Sequence, residues 1–354
     1  MSSIYPILLF LFYSPVKAQV LTSEIPDYLL EQSYSDLSHR ALKRACNASL
    51  AVVSTIPCNP NSLIALPDKS FFFVNVYGSD QLEDIREIDT LFRDDKSVEA
   101  VEEILREQSP INAQASASVN YAKENFSVSV IPIRASLFSF TRNPINPQAA
   151  TYAKKDREVK VQYNFYDEKT SGFVFGVNGR FLSREYVMDE YTLLDAVFDI
   201  RSVLPKKRYR ALYLEPAVTY YFDSAWLPRI SFYAENTVLD SQQDEDPFSD
   251  RPYLNFGAAL NPDLPLGLLE ILLNYSKSMN SDFNRSDTLR VGARYTMGLL
   301  NISFGIDEFD TSLSIFTTLW SLRFGILYED RTYENILGEE RTDESVLVEF
   351  SYIF

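Results

Sequence analysis

With 49 acidic against 33 basic side chains and a formal net charge of −16, this 354-residue chain is a poor partner for nucleic acid or an anionic lipid surface. A single histidine and two cysteines leave little material for metal binding or for nucleophile–base catalysis. Aromatic residues reach 14%, with 22 Tyr and 25 Phe, yet mean hydropathy is only −0.14; strands with one lipid face and one wet face combine the two.

The chain opens with a short apolar run, Ile4 to Tyr13, followed by Ser14, Pro15 and the small-residue stretch Val16-Lys17-Ala18. The run is too short to span a bilayer as a helix and reads as a signal peptide over 1–18, removed before Gln19. Beyond it no segment approaches the roughly 20 apolar residues of a spanning helix; the most apolar stretch, Leu264 to Leu273, carries Glu270. A membrane location therefore requires a closed barrel, because hydrocarbon satisfies no backbone polar group.

Residues 19–66 precede the strand pattern. They hold both cysteines, Cys46 and Cys58, and the only histidine, His39. In an oxidising periplasm a Cys46–Cys58 bridge is the expectation, worth about 3 kcal/mol by loop closure, with two free thiols as the alternative.

From 67 to 354 period-2 segments recur between turn signals. Val159, Val161, Tyr163 and Phe165 alternate with Lys160, Gln162 and Asn164, and Leu289, Val291, Ala293 and Tyr295 with Arg290, Gly292 and Arg294. The pattern predicts 14 strands, near 68–76, 114–122, 125–136, 157–166, 171–182, 208–222, 229–238, 253–261, 267–277, 287–296, 299–308, 311–319, 321–330 and 344–354. Connections alternate short and long from residue 122 onward, and an even strand count with a periplasmic C-terminus puts every long one outside. Two outer connections carry helical stripes, Ser97 to Gln108 and Tyr191 to Leu204. The acidic loop Gln242 to Asp250 lacks EF-hand spacing and reads as solvated. The last strand presents Val346, Val348, Phe350, Tyr352 and Phe354 on one face, and its aromatic end resembles the assembly signal of bacterial outer-membrane barrels. The fold expected is an all-β, transmembrane, antiparallel up-and-down barrel of about 14 strands, with short helices in outer loops.

Alternation turns Lys160, Arg180, Glu215, Arg229, Glu235, Glu270, Arg290, Arg294, Arg323 and Glu349 toward the lumen. Mixed signs point to a salt-bridge network rather than a selective ion path.

Just before the first strand stand Arg44-Ala45-Cys46-Asn47-Ala48-Ser49-Leu50 and Ile56-Pro57-Cys58-Asn59-Pro60-Asn61-Ser62-Leu63. This stretch resembles the N-terminal region of the outer-membrane long-chain fatty-acid transporter superfamily, including its TraF-like and PorV-like relatives. There an arginine-led small-residue stretch precedes an aromatic-Asn-Pro-Ala-Gly-Leu motif. Asn59, Pro60 and Leu63 match; Asn61 and Ser62 replace Ala-Gly, and Cys58 replaces the aromatic. The resemblance implies that residues 19–66 plug the lumen with Asn59, Pro60 and Leu63 as the anchor. It also implies that small hydrophobic molecules cross the outer membrane through the barrel. A non-transporting barrel that serves surface or secretion machinery is the alternative. Expected partners are outer-membrane lipid, the barrel-assembly machinery, and a hydrophobic molecule or another envelope protein; no nucleic acid, cofactor, metal or enzymatic activity is expected.

Overall fold

A computed structural model describes residues 37–43, 45–50, 56–66, 69–79, 111–142, 148–166, 172–192, 206–242, 252–279, 287–308, 310–334 and 340–354. The signal-peptide reading, the stripe at Ser97 to Gln108 and positions 243–250 of the acidic loop lie outside these residues. So does most of the second stripe, whose Tyr191 and Thr192 close a strand.

Fourteen antiparallel staves follow one another around a closed sheet. They are β1 (Phe71–Ser79), β2 (Ile111–Lys123), β3 (Phe126–Arg142), β4 (Gln148–Tyr166), β5 (Phe173–Thr192), β6 (Lys207–Tyr221) and β7, which has two pieces, Arg229–Glu235 and Val238–Gln242. Next come β8 (Tyr253–Leu260, continued by Asp263–Leu264), β9 (Gly267–Ser278), β10 (Asp287–Met297), β11 (Leu300–Ile306), β12 (Asp310–Leu319), β13 (Leu322–Glu334) and β14 (Glu340–Ile353). Each pairs with its sequence neighbours, and β1 closes on β14 with Val76 opposite Phe350. Closure leaves no edge strand, which is the condition for a sheet to live in hydrocarbon.

The outer face explains where the barrel sits. Phe256, Ile271, Leu273, Phe304, Ile315, Phe324, Ile326, Val348 and Phe350 are all exposed, while their strand neighbours point into a polar interior. Rings crowd the rim that carries the short turns: Phe72 stacks near Phe354 at 5.2 Å, Tyr163 near Phe165 at 4.8 Å, and Phe173 near Tyr220 at 4.6 Å. Such a girdle marks a membrane interface. Hydrophobic exterior, aromatic rim and closed antiparallel wall make this a barrel of the bacterial outer membrane, in contact with its lipid.

Three strands are much taller than the sequence pattern indicated. β3 runs to Arg142, β4 begins at Gln148 and β5 ends at Thr192, so most of the expected loop 137–156 and the stretch 183–192 of the expected loop 183–207 are strand. With 20 residues β5 is roughly 66 Å long, and at a tilt near 40° it rises about twice the height of a ~25 Å apolar band. β11, of seven residues, does not. Just beyond the hydrocarbon the outer face turns to Lys155, Arg157, Ser183 and Glu185, so the apolar alternation that betrays a lipid-facing strand is interrupted.

Two seams are irregular. In β3, pairing with β2 shifts between Ala117 and Val119, and pairing with β4 shifts between Ile131 and Arg134. Pro132 sits in this bulge and lacks the N–H that a ladder needs. β7 breaks at Asn236, whose φ is 56°, and its pairing with β6 slips between Leu212 and Tyr213.

Candidate functional site

The lumen is not empty. The described residues between Leu37 and Leu66 touch the wall in a circuit that visits nearly every stave. Leu37 N donates to Glu349 on β14 at 2.6 Å. Arg40 forks onto Glu329 on β13, with Nη2 at 2.7 Å, and Ser312 of β12 donates to Ala41 O at 2.8 Å. Asn47 meets Asn274 on β9 at 2.9 Å, and Arg229 on β7 donates to Ala48 O. Pro57 O accepts from Gln162 on β4 at 3.0 Å, and Asn61 Nδ2 donates to Thr219 on β6 at 3.2 Å. Finally Ile56, Leu63 and Leu66 pack with Phe73 of β1 and Ala122 of β2.

The wall is shaped for this chain. A Cβ at Gly305 would overlap Ala41 O, and one at Gly176 would overlap Asn61 Oδ1. Ala45 lies 3.1 Å from such an atom at Gly292, and Ala48 N 3.1 Å from one at Gly257. These inward glycines follow the inner segment around the barrel. Its own small residues, Ala41, Ala45 and Ala48, face them.

Cys46 and Cys58 form a disulfide, which ties the half of the segment on β8–β10 to the half on β4–β7. Asn59 is fully buried, as is Leu63. The Asn59 side chain caps a 3₁₀ turn, Pro60–Ala65, by accepting from Asn61 N at 2.9 Å. Its amide donates to Asn47 O at 2.9 Å and to Ser231 Oγ at 2.6 Å. Pro60 occupies the first position of the turn, where its missing N–H costs nothing. One side chain thus holds the turn, the partner half of the segment and the wall.

The inward charges gather into separate groups. Glu270 accepts from Arg229, Arg294, Ser49 Oγ and Leu50 N. Glu215 accepts from Asn178, Tyr233 and Asn236 N, with Arg180 at 3.4 Å. Arg323 pairs with Glu349 at 3.3 Å. Arg290 reaches Ser276 Oγ at 2.6 Å, and Glu235 accepts from Asn255 at 2.9 Å. Lys160, half-buried, lies on the inward row of β4 opposite Arg180. Among the members that the pattern did not single out are Arg134 with Glu158 at 3.0 Å, and Arg184 with Asp156 at 2.7 Å. Arg134 escaped because the bulge at 131–134 reverses the inward parity of β3. The other three lie on regular alternation and could have been read from it.

Above these charges, toward the outer rim, the inward faces of β3–β6 change character. Phe138, Tyr152, Leu182, Tyr186, Tyr209 and Tyr213 form one buried cluster with Met188 and Val238 against it. It is a packed apolar, aromatic cluster on the inner face of the wall, and the irregular part of β3 begins four residues below Phe138.

Phe350, Tyr352 and Phe354 all point outward at the turn-bearing rim, where Phe354 N donates to Phe72 O at 2.8 Å. Among the described residues no group of three or more His, Cys, Asp and Glu side chains is arranged to hold a metal ion.

No protein-family model and no curated protein sequence matches this chain. Several solved barrels are similar. The toluene transporter TodX of Pseudomonas putida has 8% identity, with 88% of this chain and 97% of that one covered at a TM-score of 0.47. The monoaromatic hydrocarbon channel CymD has 10% identity, 84% and 91% coverage and a TM-score of 0.42. CdiB from Acinetobacter baumannii has 6% identity and a TM-score of 0.39, and this chain covers 60% of it. At such identities no residue role passes from those proteins to this one. What the chain's own geometry establishes is an outer-membrane barrel with a disulfide-tied stretch of its own chain bonded to the lumen wall.

Proposed function

We propose that the barrel passes small hydrophobic molecules across the outer membrane, with residues 19–66 acting as a periplasmic-side plug anchored by Asn59, Pro60 and Leu63. The observation that carries this reading is the buried aromatic cluster of Phe138, Tyr152, Leu182, Tyr186, Tyr209 and Tyr213 on the inner face of the wall, beside inward charges that gather mostly into ion-paired groups. An apolar solute gains by leaving water for such a lining, roughly 25 cal/mol per Å² of apolar surface removed from water. A hydrated ion does not.

The lumen below the aromatic cluster holds the inner segment and the ion-pair groups, so a straight run to the periplasm would have to displace both. The seam at Ile131–Arg134 supplies a sideways alternative, where Pro132 interrupts the ladder and Ile133 faces lipid. In this reading a molecule enters from outside, rests on the aromatic lining and leaves through the wall into the bilayer. No catalytic step is required. Residues 1–18 serve export, and the barrel-assembly machinery reads the terminal strand through Phe350, Tyr352 and Phe354.

The test is transfer into lipid. Folded protein in liposomes is offered a panel from toluene to a long-chain fatty acid, and uptake is compared with protein-free liposomes and with Pro132→Ala. Facilitated uptake by the wild type, reduced in Pro132→Ala, is expected. A correctly folded barrel that speeds none of the panel overturns the reading and leaves the scaffold role.

A further inference from the structure

The tall staves β4–β6 carry a feature on their outer face that the lumen does not use. Side chains there fall into rows set by register. Val159, Phe181 and Leu212 form the uppermost exposed apolar row, since Val159 pairs with Phe181 and Phe181 with Leu212; all three are about two-fifths exposed. In the next row outward, Arg157 pairs with Ser183 and Ser183 with Arg210. Beyond it Lys155 pairs with Glu185 and Glu185 with Arg208, whose guanidinium lies 3.1 Å from the Glu185 carboxylate.

Lipid-facing rows thus give way in one step to a row of two arginines separated by a serine. Two strands apart, Arg157 and Arg210 start about 10 Å from one another, and both side chains can bend toward one anionic group over Ser183. Beside Arg210 the wall opens into a crevice of about 140 Å³ lined by Phe181, Arg210, Ala211, Leu212 and Asp240. That is more room than a single water needs, at roughly 30 Å³ each.

The position is not a general property of the rim. Across the barrel the row just beyond Tyr328 and Val346 is Asp330 paired with Glu344, acid against acid. A chain of net charge −16 therefore places arginines at the outer boundary of the apolar belt on one wall and carboxylates on the opposite wall.

We propose that the outer face of β4–β6 binds the phosphorylated headgroup of an outer-leaflet glycolipid, with Arg157 and Arg210 as phosphate ligands and Val159, Phe181 and Leu212 under its acyl chains. Arginine suits the task because its planar fork matches phosphate oxygens. The alternation of rows suits a molecule that is itself anionic at the head and apolar below. Asp240 limits the site on the β7 side. The site is independent of any traffic through the lumen.

Native mass spectrometry of the full-length protein in detergent tests this. Lipid A carrying both phosphates, and the same lipid with its phosphates removed, are titrated against the wild type, Arg157→Gln/Arg210→Gln and Lys277→Gln, an exposed lysine of β9. The double variant is expected to bind phosphorylated lipid A about tenfold or more weakly, the scale of two arginines facing anionic lipid. Lys277→Gln is expected to match the wild type, and millimolar inorganic phosphate to leave binding intact. Equal binding by the double variant, equal binding of the dephosphorylated lipid by the wild type, or displacement by inorganic phosphate overturns the assignment. The wild-type comparison of the two lipids stands without any variant.

Discussion

Glu270 shows how much one inward side chain carries. Two guanidiniums, a hydroxyl and a backbone N–H converge on its two oxygens, so it binds β7 and β10 to the inner segment at Ser49 and Leu50. Burying those charges was costly, and removing one partner strands the rest; breaking such a pair typically costs about 3–5 kcal/mol. Glu270→Gln is therefore expected to lose stability on that scale in urea unfolding from lipid. Arg208→Gln, which breaks an exposed pair with Glu185, should change less than about 1 kcal/mol. Similar losses for the two variants would mean that the buried group is not structural. A second residue-scale contrast concerns glycine. At Gly305 an added methyl meets Ala41 O and lies 2.8 Å from Leu42 C, whereas at Gly179 the nearest atom is 4.0 Å away. Gly305→Ala is expected to lower the denaturation midpoint and Gly179→Ala to leave it in place. Alternation in the sequence picked out Glu270 as inward, but nothing local said that it would hold another part of the chain. That information lies in a contact spanning more than 200 residues.

At the scale of elements, legibility followed the solvent. Where a strand faces lipid on one side and the lumen on the other, as in β14 or β10, side-chain alternation announced both its existence and its parity. Where β4 and β5 rise beyond the apolar belt, Lys155, Arg157 and Glu185 replace Val, Tyr and Phe on the outer face, and the same backbone looked like loop. The bulge at Pro132 was hidden for another reason: it shifts parity by inserting residues, and alternation read from either side still looks regular. The inner segment resisted reading because its structure comes from the wall around it, apart from the Asn59 cap and the Cys46–Cys58 bridge. That bridge joins the half packed on β8–β10 to the half packed on β4–β7, so Cys46→Ser/Cys58→Ser is expected to lose about 3 kcal/mol by the loop-closure account, read as a lower denaturant midpoint. An unchanged midpoint would show that the wall contacts alone fix the segment. At the other end of the chain, deleting Phe354 removes a ring 4.4 Å from Tyr352 and an N–H bonded to Phe72 O. Slower assembly is expected in cells, measured as a smaller heat-modifiable fraction after a short pulse; unchanged assembly would move the signal away from this residue.

For the whole molecule the decisive question is whether water runs through it. A 14-stave wall is wide enough to hold a hydrated path, and only its contents prevent one. Those contents are matched to the wall at many independent points: glycines where the inner backbone comes close, wall carboxylates where Arg40 and Lys43 must be met, and an apolar group of Ile56, Leu63, Leu66 and Phe73. Each contact is modest, but opening a pore requires losing several together, because the disulfide and Asn59 link them. The barrel is thus expected to give no steady ohmic current in planar bilayers at moderate voltage, alongside the proposed passage of apolar solutes into the membrane. Those two behaviours separate on physical grounds: a hydrated ion needs a continuous wet column, whereas in the proposed route an apolar molecule needs only an apolar, aromatic lining and a break in the wall. A stable, voltage-independent conductance of porin size in the unmodified protein would show a continuous aqueous column, and with it the sealed-base account of the lumen would fail.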